Sequence, residues 1–221
     1  SVGGLVGNDY RGHYSNGQAS GSATSTSTAS GDHVGGLIGN ANQSQIQNAS
    51  ASGNVTATTT HAGGPLGQAA TATLTNVQAS GSVSGSNYVG GLIGVANRGT
   101  ITNAHATGGA SGVNYVGGLV GNLFSTSLSD AYAVGDVSGT WYIGGLVGYN
   151  SRGSLARGYA TGFIAATEYA GGLVGYNLTG TINAAYAGGR GVIGTQYLGG
   201  LVGYNDGGII NAGYAIGDIG G

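Results

Sequence analysis

The sequence predicts an all-β fold, a parallel β-helix (β-solenoid) of about eight coils of 27–28 residues with three short strands per coil. Three observations predict it. A block of the form Gly-Gly-Leu-Val-Gly begins at Gly3, Gly35, Gly63, Gly90, Gly117, Gly144, Gly171 and Gly199, with Ile for Val in two copies and Pro-Leu for Leu-Val in the third. The resulting period of 27 residues, with five extra in the first unit and one extra in two others, is that of a solenoid or array. Glycine supplies 51 of 221 residues, and each would cost a helix interior roughly 1 kcal/mol relative to alanine. Between the glycines lie short β-branched and aromatic runs, which read as strands. A propeller blade needs roughly 40–50 residues, more than one unit supplies.

Positions are counted from the first glycine of each block as 0. In the fifth unit the expected strands are Asn114-Tyr115-Val116 continuing through the glycine pair to Leu119-Val120, then Ser127 to Val134, then Asp136-Val137-Ser138. Stacked at the strand spacing of about 4.8 Å, eight such coils make a rod roughly 38 Å long. The expected organisation is a single solenoid segment, residues 1–221, with units starting near 1, 33, 61, 88, 115, 142, 169 and 197.

Several columns define the inside. Position 16 is alanine and position 18 glycine in every unit, and position 11 is a large hydrophobic residue, from Tyr14 and Ile46 to Ile182 and Ile210. Strand alternation puts small positions 14 and 16 on one face and position 15 on the other. An invariant alanine fits the inner face of a narrow coil, where a leucine would overpack. Position 11 is out of phase with 14 and 16, so a bend or bulge is expected between them. Position 20 (Val55, Val83, Ala110, Val137, Ile164, Ile219) is expected to point inward, with Gly191 breaking the column. Of the apolar residues at positions 2 and 3, one is expected to close the core and the other to seat a neighbouring chain or coil.

The outward columns change along the chain. Position 15 reads Gln18, Ser50, Gln78 and His105, then Tyr132, Tyr159, Tyr186 and Tyr214. A second tyrosine column at position −2 holds Tyr88, Tyr115, Tyr142, Tyr169 and Tyr197, and a third at position 5 holds Tyr149, Tyr176 and Tyr204, each followed by Asn150, Asn177 or Asn205. Residues in register stack as ladders. Such stripes either stiffen the rod or form a contact surface, since aromatic rows with adjacent amides suit sugar rings or a second protein. The asparagines could equally hydrogen-bond from coil to coil.

Composition excludes several functions. Without cysteine there is no disulfide and no thiolate metal site. Five arginines, no lysine and a net charge of −2 leave no basic patch to track nucleic acid. No apolar run is long enough to cross a bilayer as a helix. Asp136 and Asp218 share position 19 but lie three coils apart, about 14 Å, beyond the reach of paired glycosidase carboxylates. His33 and His61, both at position −2, are expected to replace tyrosine in its ladder rather than bind a metal, for which a third ligand is missing. The glycine block superficially resembles a nucleotide-binding loop but lacks Gly-x-Gly-x-x-Gly and a following Lys-Ser/Thr. The expectation is no enzyme, no cofactor and no catalytic or metal residue. An ice-binding solenoid is a lower alternative, because the threonines (Thr24, Thr26, Thr28, Thr56, Thr58 to Thr60) form no Thr-x-Thr row along the whole chain.

Blocks such as Gly90-Gly91-Leu92-Ile93-Gly94 and Gly117-Gly118-Leu119-Val120-Gly121, followed by an Asn/Tyr turn and an Asn-Ala-Tyr-Ala-like strand, resemble the GLUG repeat. The resemblance runs over all eight units, with Pro65 and Gln68-Ala69 departing from it in the third. It implies a bacterial extracellular or cell-surface protein of the filamentous-haemagglutinin-like adhesin kind, and fixes no binding residues. The chain opens at position −2 and stops at position 22, without a capping repeat. That leads to the expectation of a stretch of a longer rod, or a subunit that self-associates end to end or laterally. A glycan- or host-protein-binding module is the alternative.

Overall fold

The computed structural model describes residues 1–27, 31–58 and 60–221. The chain winds into coils stacked through four parallel ladders, each running over eight successive levels. The coil therefore has four strands rather than three. In the fifth coil they are Asn114–Gly117, Val120–Phe124, Ser127–Ala133 and Val137–Ser138. The first expected run breaks at Gly118-Leu119 for a physical reason. Leu119 and Val120 are both fully buried, whereas consecutive residues of one strand point to opposite faces. Both can face inward only across a corner. The same holds for Leu37 and Ile38, Leu92 and Ile93, Leu146 and Val147, and Leu173 and Val174, so neither position is left to seat a neighbour.

Register follows the repeat. Val120 pairs with Ile93 below and Val147 above, and Leu128 with Ile101 and Leu155. Even the corner is laddered: the Leu119 N–H donates to the Leu146 carbonyl at 2.9 Å, and Leu146 to Leu173 likewise. Pro65 cannot donate there. It still accepts from Leu37 and Ile38 at 3.0 and 2.9 Å, so the departure costs one rung and no register.

Left-handed backbone recurs at three further positions, one of them position −2, where Tyr88, Tyr115, Tyr142, Tyr169 and Tyr197 have φ between 52° and 61°. Position 13 has φ between 48° and 60° in every coil, from Asn16, Asn48, Asn76 and Asn103 to Asp130, Arg157, Ala184 and Ala212. This is the bend expected between positions 11 and 14; it lets Leu128, Ala131 and Ala133 all point inward from one strand. Position 8 is left-handed as well, at Arg11, Gln43, Thr71, Arg98, Ser125, Arg152, Thr179 and Gly207.

The interior is two-lobed. Positions 2, 3, 6, 11, 14 and 16 form the larger apolar cluster, and positions −1 and 20 most of a smaller one. Each fully buried Leu, Ile or Val contributes about 1.5–3 kcal/mol. The glycine pair and the invariant alanine meet at the waist between the lobes. A Cβ built on Gly118 would lie 2.1 Å from the Gly145 carbonyl oxygen and 2.9 Å from the Ala133 methyl. Both columns are thus fixed by one close approach. Gly191, at φ 130°, does not break column 20: it absorbs the extra residue of its unit, and Val192 pairs with Ile164 and Ile219.

Candidate functional site

The tyrosine columns form continuous stacks. At position 15, Tyr132, Tyr159, Tyr186 and Tyr214 follow at ring-centroid separations of 5.0–5.1 Å with planes within 6°, and His105 caps the row 4.7 Å below Tyr132. At position −2 the row begins with His33 and His61, 4.6 Å apart, and continues through Tyr88, Tyr115, Tyr142, Tyr169 and Tyr197 at 4.7–5.0 Å. The histidines take tyrosine's place in the ladder. Tyr149, Tyr176 and Tyr204 stack beside them at 5.1–5.3 Å. Their rings meet that row edge to face, as between Tyr115 and Tyr149 at 90°.

This geometry decides what the rows can offer. Each ring within a stack has both faces covered by the next coil's ring, so the rod presents phenol edges and hydroxyls. A sugar ring that packs its C–H face on an aromatic plane finds no free plane inside these rows. A partner with the same rise per rung finds a matching hydroxyl at every level. Most of these rings are half-buried; Tyr197, Tyr204 and Tyr214 in the last coil are exposed. Burial pushes the Tyr115, Tyr149 and Tyr159 hydroxyls above their usual range. Tyr176 is pushed up to about 12, first by burial and then by the Asp206 carboxylate to which it donates at 3.0 Å.

Two of the three asparagines do not share that surface; Asn205, in the last coil, is exposed. Asn150 and Asn177 are fully buried. The Asn150 Nδ2 donates to Asn177 Oδ1 at 2.8 Å, and Asn177 Nδ2 to Asn205 Oδ1 at 2.7 Å. Each amide also closes its own turn: the Gly153 N–H donates to Asn150 Oδ1 at 3.1 Å, and Asn177 Nδ2 to the Gly180 carbonyl at 3.1 Å. Asp9 does the same in the first coil, accepting from Gly12 N at 3.1 Å and the Tyr14 hydroxyl at 2.7 Å, with Ser44 also donating to it. The sequence carries a signal that composition misses. Where position 6 is Asp or Asn, position 9 is glycine, at Asp9-Gly12, Asn150-Gly153, Asn177-Gly180 and Asn205-Gly208. A Cβ at Gly153 would lie 2.4 Å from Asn150 Oδ1.

Among the described residues the acids form no constellation for acid–base chemistry. Asp130 is held by Arg157 through two hydrogen bonds of 2.6 and 2.7 Å, which keep its carboxyl low. Asp136 accepts from Phe163 N at 2.9 Å and pairs with Arg190. Among the described residues no group of three or more His, Cys, Asp or Glu is placed to hold a metal ion. Threonines come together more than the sequence suggested: Thr73 pairs with Thr100, and Thr75 with Thr102, one Thr-x-Thr motif above the other, followed by Ser127 and Ser129. The row stops there, at Ala156. Thr28 and Thr59 lie outside the described residues.

The family model described as the GLUG motif matches residues 30–56, so that motif is present in the chain, over the second glycine block. No curated protein and no solved structure matches the chain. The chain is a repeat β-solenoid scaffold.

Proposed function

We propose that this chain is a non-catalytic, rigid shaft of a bacterial surface or secreted fibre, an adhesin stalk or filament, whose tyrosine edges contact further copies of the same rod. One observation carries the reading: four hydrogen-bonded ladders continue through eight levels with one register. Stacked repeats of this kind resist bending because every coil is held by backbone bonds to its neighbours. The GLUG motif at residues 30–56 supports placement outside the cell or on its surface. The covered ring faces favour a protein partner of equal rise over a glycan or an unrelated host protein as the partner of the tyrosine rows. The domain arrangement expected from the sequence, one segment across all eight units, is part of this proposal.

The test is electron microscopy of the purified chain over a concentration series, with Tyr132, Tyr159 and Tyr186 changed together to Ser. The expected result is bundling by the parent chain and none by the triple variant, with the β-sheet circular dichroism of both alike. Bundling that survives the triple substitution rejects the tyrosine contact; a saccharide that shifts the tyrosine fluorescence of the parent but not of the variant restores the glycan reading.

A further inference from the structure

We propose that the outward corner at positions 7 and 8 is a binding edge for a linear acidic polysaccharide lying along the rod. The observation behind it is how the cations are sorted. The chain has five arginines and no lysine. Two of them, Arg157 and Arg190, are neutralised by Asp130 and Asp136. The other three, Arg11, Arg98 and Arg152, all occupy position 8 and have no carboxylate partner among the described residues. All the uncompensated arginine charge of the rod therefore falls on one line parallel to its axis.

The column they share gives the spacing. Along position 7, Tyr10 pairs with Asn42, then Ala70, Asn97, Phe124 and Ser151. Arg98 and Arg152 are thus two rungs apart, about 10 Å, and Arg11 three rungs below Arg98, about 14 Å. The side chains are also held. The Arg98 and Arg152 guanidinium carbons lie 5.9 and 4.8 Å from the Phe124 ring centroid, from the coils below and above it. Arg11 lies 4.7 Å from the Tyr10 centroid, and its Nε donates to Gln43 Oε1 at 2.8 Å. An arginine fixed by an aromatic ring loses less freedom on binding and keeps its remaining N–H groups outward. Asp206, at position 7 of the last coil, ends the cationic stretch.

Charge complementarity selects the ligand class. Three spaced arginines leave most phosphates of a nucleic acid unmet, and the Phe124 ring, already flanked by guanidinium groups, offers no platform for a base. An alternating uronate disaccharide presents one carboxylate per two sugar rings, and each ring of an extended chain advances about as far as one coil, so its carboxylates recur at the Arg98–Arg152 separation. Arginine forks suit carboxylate and sulfate alike. The inference rests on the fold alone and not on the tyrosine contacts.

The test is binding of the 221-residue chain to hyaluronan, to a sulfated dextran, to neutral dextran and to a single-stranded oligonucleotide, at low and at physiological salt. Expected are binding to both acidic polymers that falls with salt, none to neutral dextran, and a loss of about tenfold or more in the Arg98→Gln/Arg152→Gln double variant. Retention on hyaluronan against the sulfated polymer identifies the carboxylate as the anion read; the reverse identifies sulfate. Arg157→Gln, which removes an ion-paired arginine, should leave binding unchanged. Three results overturn the proposal: no binding to either acidic polymer, equal binding by the double variant, or tighter binding to the oligonucleotide. Bundling in the microscope and polymer binding are read separately, so failure of one leaves the other standing.

Discussion

Replacing Gly118 by alanine puts a methyl where the structure leaves no room. The new Cβ would lie 2.1 Å from the Gly145 carbonyl oxygen of the next coil and 2.9 Å from the Ala133 methyl. The first contact is with backbone and cannot be relieved by a rotamer change; coils five and six must separate, straining the rung from Leu119 N to Leu146 O. Ordinary overpacking costs about 1–3 kcal/mol, and loosening two backbone hydrogen bonds adds about 1–3 kcal/mol, so the expected loss is about 2–6 kcal/mol. Two controls come from the same geometry. Gly200, in the last coil, has only the Ala215 methyl at 3.0 Å and a distant Ile219 carbon against its new Cβ, so Gly200→Ala should be nearly neutral in this chain. Ala133→Gly removes the methyl contact but not the carbonyl, so it should fail to rescue Gly118→Ala. Urea unfolding followed by circular dichroism measures the three single variants and the Gly118→Ala/Ala133→Gly double. Equal losses for Gly118→Ala and Gly200→Ala, or rescue by Ala133→Gly, would refute the waist as the origin of both invariant columns.

Two further expectations concern single buried groups. Burial, aided by the neighbouring His33, pushes His61 down to about 4, so the folded state favours the neutral ring; its stabilisation is complete above pH 6.5 and is lost as pH falls from there toward 4, by about 2 kcal/mol at pH 5. Melting curves between pH 7 and 5 should show that loss in the parent and a flatter profile in His61→Tyr; identical slopes would place the pH dependence elsewhere. Asn177→Ala removes the middle of the internal amide ladder: one hydrogen of Asn150 Nδ2 loses its acceptor, while that group keeps the Gly153 carbonyl and the Gly180 carbonyl keeps the Ile209 N–H. Chemical denaturation should show a loss of about 1–3 kcal/mol, and a change below half of the lower figure would mean that the amides contribute little.

What the sequence revealed and what it hid have physical causes. Ala133 and Gly118 were legible as columns because a close approach tolerates one residue type, and the repeat displays the constraint eight times. Leu119-Val120 was misleading: an unbroken apolar pair reads as one strand, while burial of both side chains requires a corner. At position 13 Asn16, Asn48, Asn76 and Asn103 are of a type that tolerates a left-handed turn, but Arg157 and Ala184 adopt the same φ because the ladder imposes it. Asn150 and Asn177 read equally as surface amides next to tyrosines or as hydrogen-bonders from coil to coil, and the structure shows the second. Only the glycine three residues later betrays that their side chains fold inward onto the turn.

The waist between Gly118 and Ala133 also bears on how such a chain can vary. Neighbouring coils meet there through backbone atoms and one methyl, the same set at successive junctions. Removing or duplicating a 27-residue unit, such as the stretch from Gly117 through Ile143, joins two surfaces that already fit. Rod length is therefore decoupled from the contacts at the waist. Whole coils can be gained or lost by recombination, and the outer columns can drift from serine to tyrosine, while the template that sets the rise stays unchanged.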